Sequence, residues 1–154
     1  MKLEEFMNRF EIKSKRTVND WLDKNYIPGA IITKDGEIII PDRALPPHTG
    51  ARAKKRESIF VSILKGINSR KQVLPALYGM SEREFEIYID ELEKNELLTT
   101  EIENGIRYYY PTLKTEEYLF DKTKLRKLLR KLQPLTESVM AGSVKGILEY
   151  SEAH

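Results

Sequence analysis

The residues of this 154-residue chain best suited to chemistry lie in one run, Ser14 to Asp20, SKRTVND. On a helix, Lys15, Arg16, Thr17, Asn19 and Asp20 lie away from a stripe formed by Val18, Trp21 and Leu22. Arg16 has the fork that matches a guanine edge, and Asn19 has the amide that matches an adenine. Ser14 and Thr17 have hydroxyls that can hold a phosphate. This is recognition chemistry rather than bond-making chemistry. The only histidines, His48 in a proline-rich stretch and His154 at the end, do not suit a triad or a metal site. No phosphate-gripping glycine loop, dinucleotide fingerprint or nucleophile elbow occurs. The absence of cysteine excludes a disulfide framework, a thiolate metal site and a cysteine nucleophile. The expectation is therefore a non-enzyme with no cofactor and no metal.

Charge is unevenly placed. Residues 1–56 carry twelve Lys/Arg against eight Asp/Glu, residues 57–120 seven against twelve, and residues 121–154 seven against four. A basic start and a basic tail suit phosphates, whereas the acidic middle does not. Neither a long apolar run nor a leader pattern is found, which predicts a cytoplasmic, nucleoid-associated protein with no membrane partner.

Helical spacing of Leu3, Phe6, Met7 and Phe10 predicts a first helix. Ser14 is suited to cap a second helix, which carries Val18, Trp21 and Leu22 inward as core and stops at Asn25. Runs 30–33 and 37–40 flank Lys34-Asp35-Gly36 and predict a hairpin, with Lys34 at its tip and Arg43 just beyond it. Pro46, Pro47 and HTGARAKKR then read as a basic linker over 46–56, which adds Lys54 and Lys55 to the candidate contacts.

The next segment repeats this order. Ile59, Phe60, Ile63 and Leu64 mark a helix ending near Gly66, and Ser69 is a candidate cap for another, short or kinked at Pro75. Ser81 and Glu84 predict a capping box for a third, with Phe85, Tyr88 or Ile89, and Leu92 inward. A second hairpin turns at Glu103-Asn104-Gly105. Strand alternation groups Ile106, Tyr108 and Tyr110 on one face, assigned to the core, and Arg107 with Tyr109 on the other. Tyr109 is thereby left as a possible stacking contact. Candidate DNA contacts here are Arg70, Lys71, Arg83 and Arg107, although the third helix displays mostly carboxylates.

From about residue 115, Leu125, Leu128, Leu129 and Leu132 form one apolar face, with Lys124, Arg126, Lys127, Arg130 and Lys131 elsewhere. Pro134 is expected to interrupt this helix, and a further one to run to about Tyr150. The leucine face has three possible fates: covering the second module in cis, pairing in a homodimer, or lying on a membrane. The expectation is a homodimer through the C-terminal helices.

SKRTVNDWLDKNYIPGA followed by GEIIIPD resembles the small winged helix-turn-helix modules of phage excisionases and MerR-like regulators. The resemblance covers roughly residues 3–45 and rests on Thr17-Val18, Trp21, Tyr26–Ala30 and Ile40-Pro41. Asn25 stands where that family usually has glycine, and the preceding turn, Glu11-Ile12-Lys13, is about one residue longer. The resemblance implies a helix in the major groove of DNA and a hairpin wing on the backbone or minor groove. Residues 57–119 more loosely resemble bacterial and archaeal winged-helix regulators, on MSEREFEIYIDELEKNELL and the wing that follows. The expected architecture is thus mainly α with small β-hairpin wings (α+β). It comprises a module over 1–45, a linker over 46–56, a second module over 57–119 and a helical extension over 120–154. The expected function is sequence-specific double-stranded DNA binding, as a transcriptional regulator or excisionase-like architectural factor. The alternative is a protein-protein adaptor using its winged-helix modules, with only incidental DNA affinity; the acidic second module is a candidate surface for a protein partner.

Overall fold

In the first 49 residues an apolar cluster forms around Phe6, Val18 and Ile40, each with no exposed surface. The computed structural model describes residues 1–49 and 58–142, with side chains up to Leu132. The described residues form six α-helices and two small antiparallel hairpins, an α+β architecture. No helix among them is long and apolar enough to cross a membrane.

Helix α1 spans Leu3–Arg9 and α2 spans Lys15–Asp23. Glu11, with φ of 53°, makes the sharp turn between them. The Ser14 hydroxyl accepts the Thr17 backbone N–H at 3.3 Å and so starts α2. Asn25, at φ 58°, ends it in the left-handed backbone that asparagine tolerates. Strands β1 (Ile31–Ile32) and β2 (Ile38–Ile39) pair in antiparallel register, Ile31 opposite Ile39. Their turn closes through the Gly36 N–H onto the Thr33 carbonyl at 2.9 Å. Trp21 differs from expectation: it packs on this cluster but is only half-buried, because the smaller Val18 takes the central place.

Helix α3 (Ile59–Asn68) is buried along most of its length. The helix expected to start at Ser69 does not form; Ser69 instead closes α3. Arg70 has φ of 54°, and Leu74 ahead of Pro75 is held extended, so only a short 3-10 turn, Pro75–Tyr78, follows. Helix α4 (Glu82–Lys94) starts where Ser81 accepts the Glu84 N–H at 3.2 Å, and it buries Phe85, Tyr88, Ile89 and Leu92. Strands β3 (Leu98–Glu103) and β4 (Ile106–Pro111) form the second hairpin. Asn104 and Gly105, at φ 53° and 80°, supply the two positive values that its tight turn needs.

Helix α5 (Leu113–Phe120) opens with a Thr112–Thr115 capping box, and α6 (Lys122–Gly142) opens on Asp121. The Asp121 carboxylate accepts the Thr123 and Lys124 N–H groups at 3.0 and 3.2 Å. Two expectations are corrected here. The helix continues through Pro134 rather than breaking there. Leu125, Leu128 and Leu132 are buried in the core of the second module. This leucine face is therefore satisfied in cis, with α6 stacked on α4 and α5, and is not free for a homodimer. The further helix expected towards Tyr150 lies outside the described residues.

The modules join earlier than the composition suggests. Pro46 and Pro47 are buried, and Pro47 bridges in parallel to Gln72. The Gln72 N–H donates to the Pro46 carbonyl at 2.8 Å, and the His48 N–H to the Gln72 carbonyl at 2.9 Å. Residues 46–48, expected to open a linker, are thus part of the second module's edge.

Candidate nucleic-acid interface

Helix α2 is amphipathic in a specific way. Its apolar side is fixed by fully buried Val18, while Ser14, Lys15, Arg16, Thr17, Asn19 and Asp20 are all exposed. Among the described residues Lys15 and Arg16 form no ion pair. The Ser14 oxygen is used in the cap, but its own O–H remains able to donate. Asp20 is different: its carboxylate holds Lys24 Nζ at 3.1 Å one turn on. That hydrogen bond and charge contact raise the Lys24 pKa. Lys34 stands exposed at the hairpin tip. Lys54 and Lys55 lie outside the described residues.

Arg43, expected beyond the first hairpin as a backbone or minor-groove contact, is engaged within the chain instead. Its guanidinium bonds Glu101, Glu103 and the Tyr110 hydroxyl, all on the second hairpin. It also lies 5.3 Å from the Tyr108 ring centre and 5.4 Å from that of Tyr110. The hydrogen bond to Glu101 is the main cause that raises its pKa further. The reason is register. Glu101 pairs across the hairpin with Tyr108, and Glu103 with Ile106, so both carboxylates share the face that meets the first module. Arg43 is thereby committed to joining the two modules.

The same face bears on the tyrosines: Tyr108 is buried as expected, whereas Tyr110, also assigned to the core, is only half-buried. Tyr108 is 3% exposed, but it is buried beneath Arg43 at the junction. Tyr109 packs against the second core, edge-on to Phe85 with ring centres 6.0 Å apart. Burial raises the Tyr109 pKa, and the half-buried ring gives part of its surface to Phe85 and the second core.

The other candidates are scattered. Arg83 and Arg70 are exposed and Lys71 is half-buried, none of them ion-paired among the described residues. Arg107 faces Glu86 at 3.8 Å, and its buried Nε has no hydrogen-bond partner. It lines a hollow of about 270 Å³ with Gln72, Phe85, Glu86, Ile106 and Tyr109. Around Arg83, helix α4 exposes Glu82, Glu86, Asp90 and Glu93. Each of these would oppose an approaching phosphate.

The sequence-based site omits the outer face of α6. Lys122, Arg126, Lys127, Arg130 and Lys131 are exposed there, with no ion pair among the described residues. Their signal was visible: from Lys122 to Leu132 there are six Lys/Arg and no Asp/Glu. Among the described residues no group of three or more His, Asp or Glu is placed to hold a metal ion. No protein-family model, curated protein or solved structure matches the chain.

Proposed function

We propose that this chain binds double-stranded DNA sequence-specifically through its first module, as a transcriptional regulator or excisionase-like architectural factor. Helix α2 enters the major groove, and the β1–β2 hairpin acts as a wing that brings Lys34 to the backbone or minor groove. The observation that carries this reading is the outward row of Lys15, Arg16, Thr17 and Asn19 on a helix whose opposite side is locked by Val18. The side chains that would touch bases are neither covered nor neutralised. On this reading the second module is a winged-helix-type scaffold that Arg43 ties to the first.

Binding sites selected from random duplexes, followed by titration of the selected duplex against salt, test the proposal. The expected result is steep loss of affinity with ionic strength and a preference of at least about a thousandfold over random duplex. Equal affinity for every duplex at every salt concentration would refute it. One observation favours an adaptor instead. The second module exposes the acidic face of α4, and Leu113 and Phe120 are 95% and 92% exposed. Such a surface suits a basic, partly apolar protein partner. Absence of sequence preference together with saturable protein binding would support that reading.

A further inference from the structure

We infer that the outer face of α6 is a second duplex-binding surface, one that grips phosphates without reading bases. This rests on the DNA-binding reading above and adds to it the means by which the second module takes part. At 3.6 residues per turn, Leu125, Leu128, Leu129 and Leu132 gather on one side of α6. Lys122, Arg126, Arg130, Lys127 and Lys131 sweep the other side. Burial of Leu125, Leu128 and Leu132 fixes which side faces solvent. The cations are therefore presented in a set direction.

Two features separate this row from an ordinary solvated face. First, the helix carries no compensating carboxylates between Lys122 and Leu132. Only Lys124, which pairs with Glu117 of α5, is neutralised. Second, Lys122/Arg126, Arg126/Arg130 and Lys127/Lys131 are like charges four residues apart, a spacing that destabilises a helix. Repulsion of this kind is relieved when an anionic polymer lies along the row. From Lys122 to Lys131 the row is roughly 14 Å long, an axial span of about four base pairs of duplex. The acidic α4 cannot serve this purpose. A membrane surface fits less well, because the apolar side that would insert into lipid is occupied in cis.

The test uses the full chain with Arg126, Lys127, Arg130 and Lys131 changed together to Gln, beside a control in which Arg126 and Arg130 become Lys. Fluorescence anisotropy would follow binding to selected and random duplexes from low to moderate salt. The Gln variant should weaken binding to both duplexes by a similar factor and flatten the slope of log affinity against log salt by about three to four. The Lys control should behave as the parent does. In the absence of DNA at low salt, the Gln variant should melt no lower than the parent, since it only removes repulsion. An unchanged salt slope in a chain that still prefers its selected duplex would overturn this inference and leave the first module's role intact. No duplex binding by the parent would overturn both. Binding of the parent to vesicles rich in phosphatidylserine, with no α6-dependent term on duplex, would assign the row to a lipid surface and likewise overturn the inference.

Discussion

The guanidinium carbon of Arg43, from the first module, lies 5.3 Å from the ring centre of Tyr108 in the second. Glu101 and Glu103 hold the same guanidinium from the neighbouring strand. One side chain thus joins two apolar cores that share no buried residue. Replacing Arg43 with Met keeps some of the stem's apolar contact but removes the charge and the fork. Thermal unfolding should begin roughly 2 to 4 °C lower, and the first module's transition should separate from the second's. A single transition at the parental temperature would mean that the modules are held by other contacts.

Gly29 sits on the same junction at φ +83°, and a Cβ there would collide with Ile106 Cδ1 and come within 2.9 Å of Pro41 Cγ. Gly29→Ala therefore adds backbone strain and pushes on the hairpin. Urea unfolding should show a loss of about 1–2 kcal/mol.

Tyr78 gives a pH dependence. Its hydroxyl meets His48 Nδ1 at 3.0 Å, and burial raises its pKa above the ordinary tyrosine value of 10.0. The folded state thus holds the phenol proton more tightly than the unfolded chain does. Its contribution is complete below about pH 10 and is lost as pH rises from there through the folded value. Melting curves between pH 8 and 11 should show an alkaline fall that Tyr78→Phe makes shallower. At neutral pH the same variant should lose about 1 kcal/mol with the hydrogen bond.

Leu128, 8% exposed, tests the cis packing of α6. Leu128→Ala should cost about 2–5 kcal/mol by opening a cavity against the second core. The melting temperature of the parent should not change with protein concentration, as it would if the leucine face joined two chains.

The first module was largely legible in the sequence, because its signals are local. Ser14 three residues before the Thr17 N–H, Asn25 at a helix end and Gly36 in a turn each act within a few residues. What the sequence hid is long-range. The partners of Arg43 lie 58 to 67 residues away, so nothing beside it distinguishes a wing contact from a module clamp. Strand alternation sorted Tyr108 from Tyr109 correctly, but both faces of that hairpin are covered and period two cannot say by what. The spacing of the α6 leucines likewise marks a buried face; only the fold shows that their own module supplies the cover. Ser69 failed for a different reason. A cap residue needs a helix-competent stretch behind it, and Arg70 with Pro75 denies one.

The most direct measurement compares Arg16→Ala and Asn19→Ala with the parent on the selected duplex and on duplexes changed one base pair at a time. Each variant should lose about 1–3 kcal/mol on the selected duplex and should stop discriminating at one position, while its affinity for random duplex changes little. Parental affinity and parental discrimination in both variants would contradict α2 as the element that reads the groove.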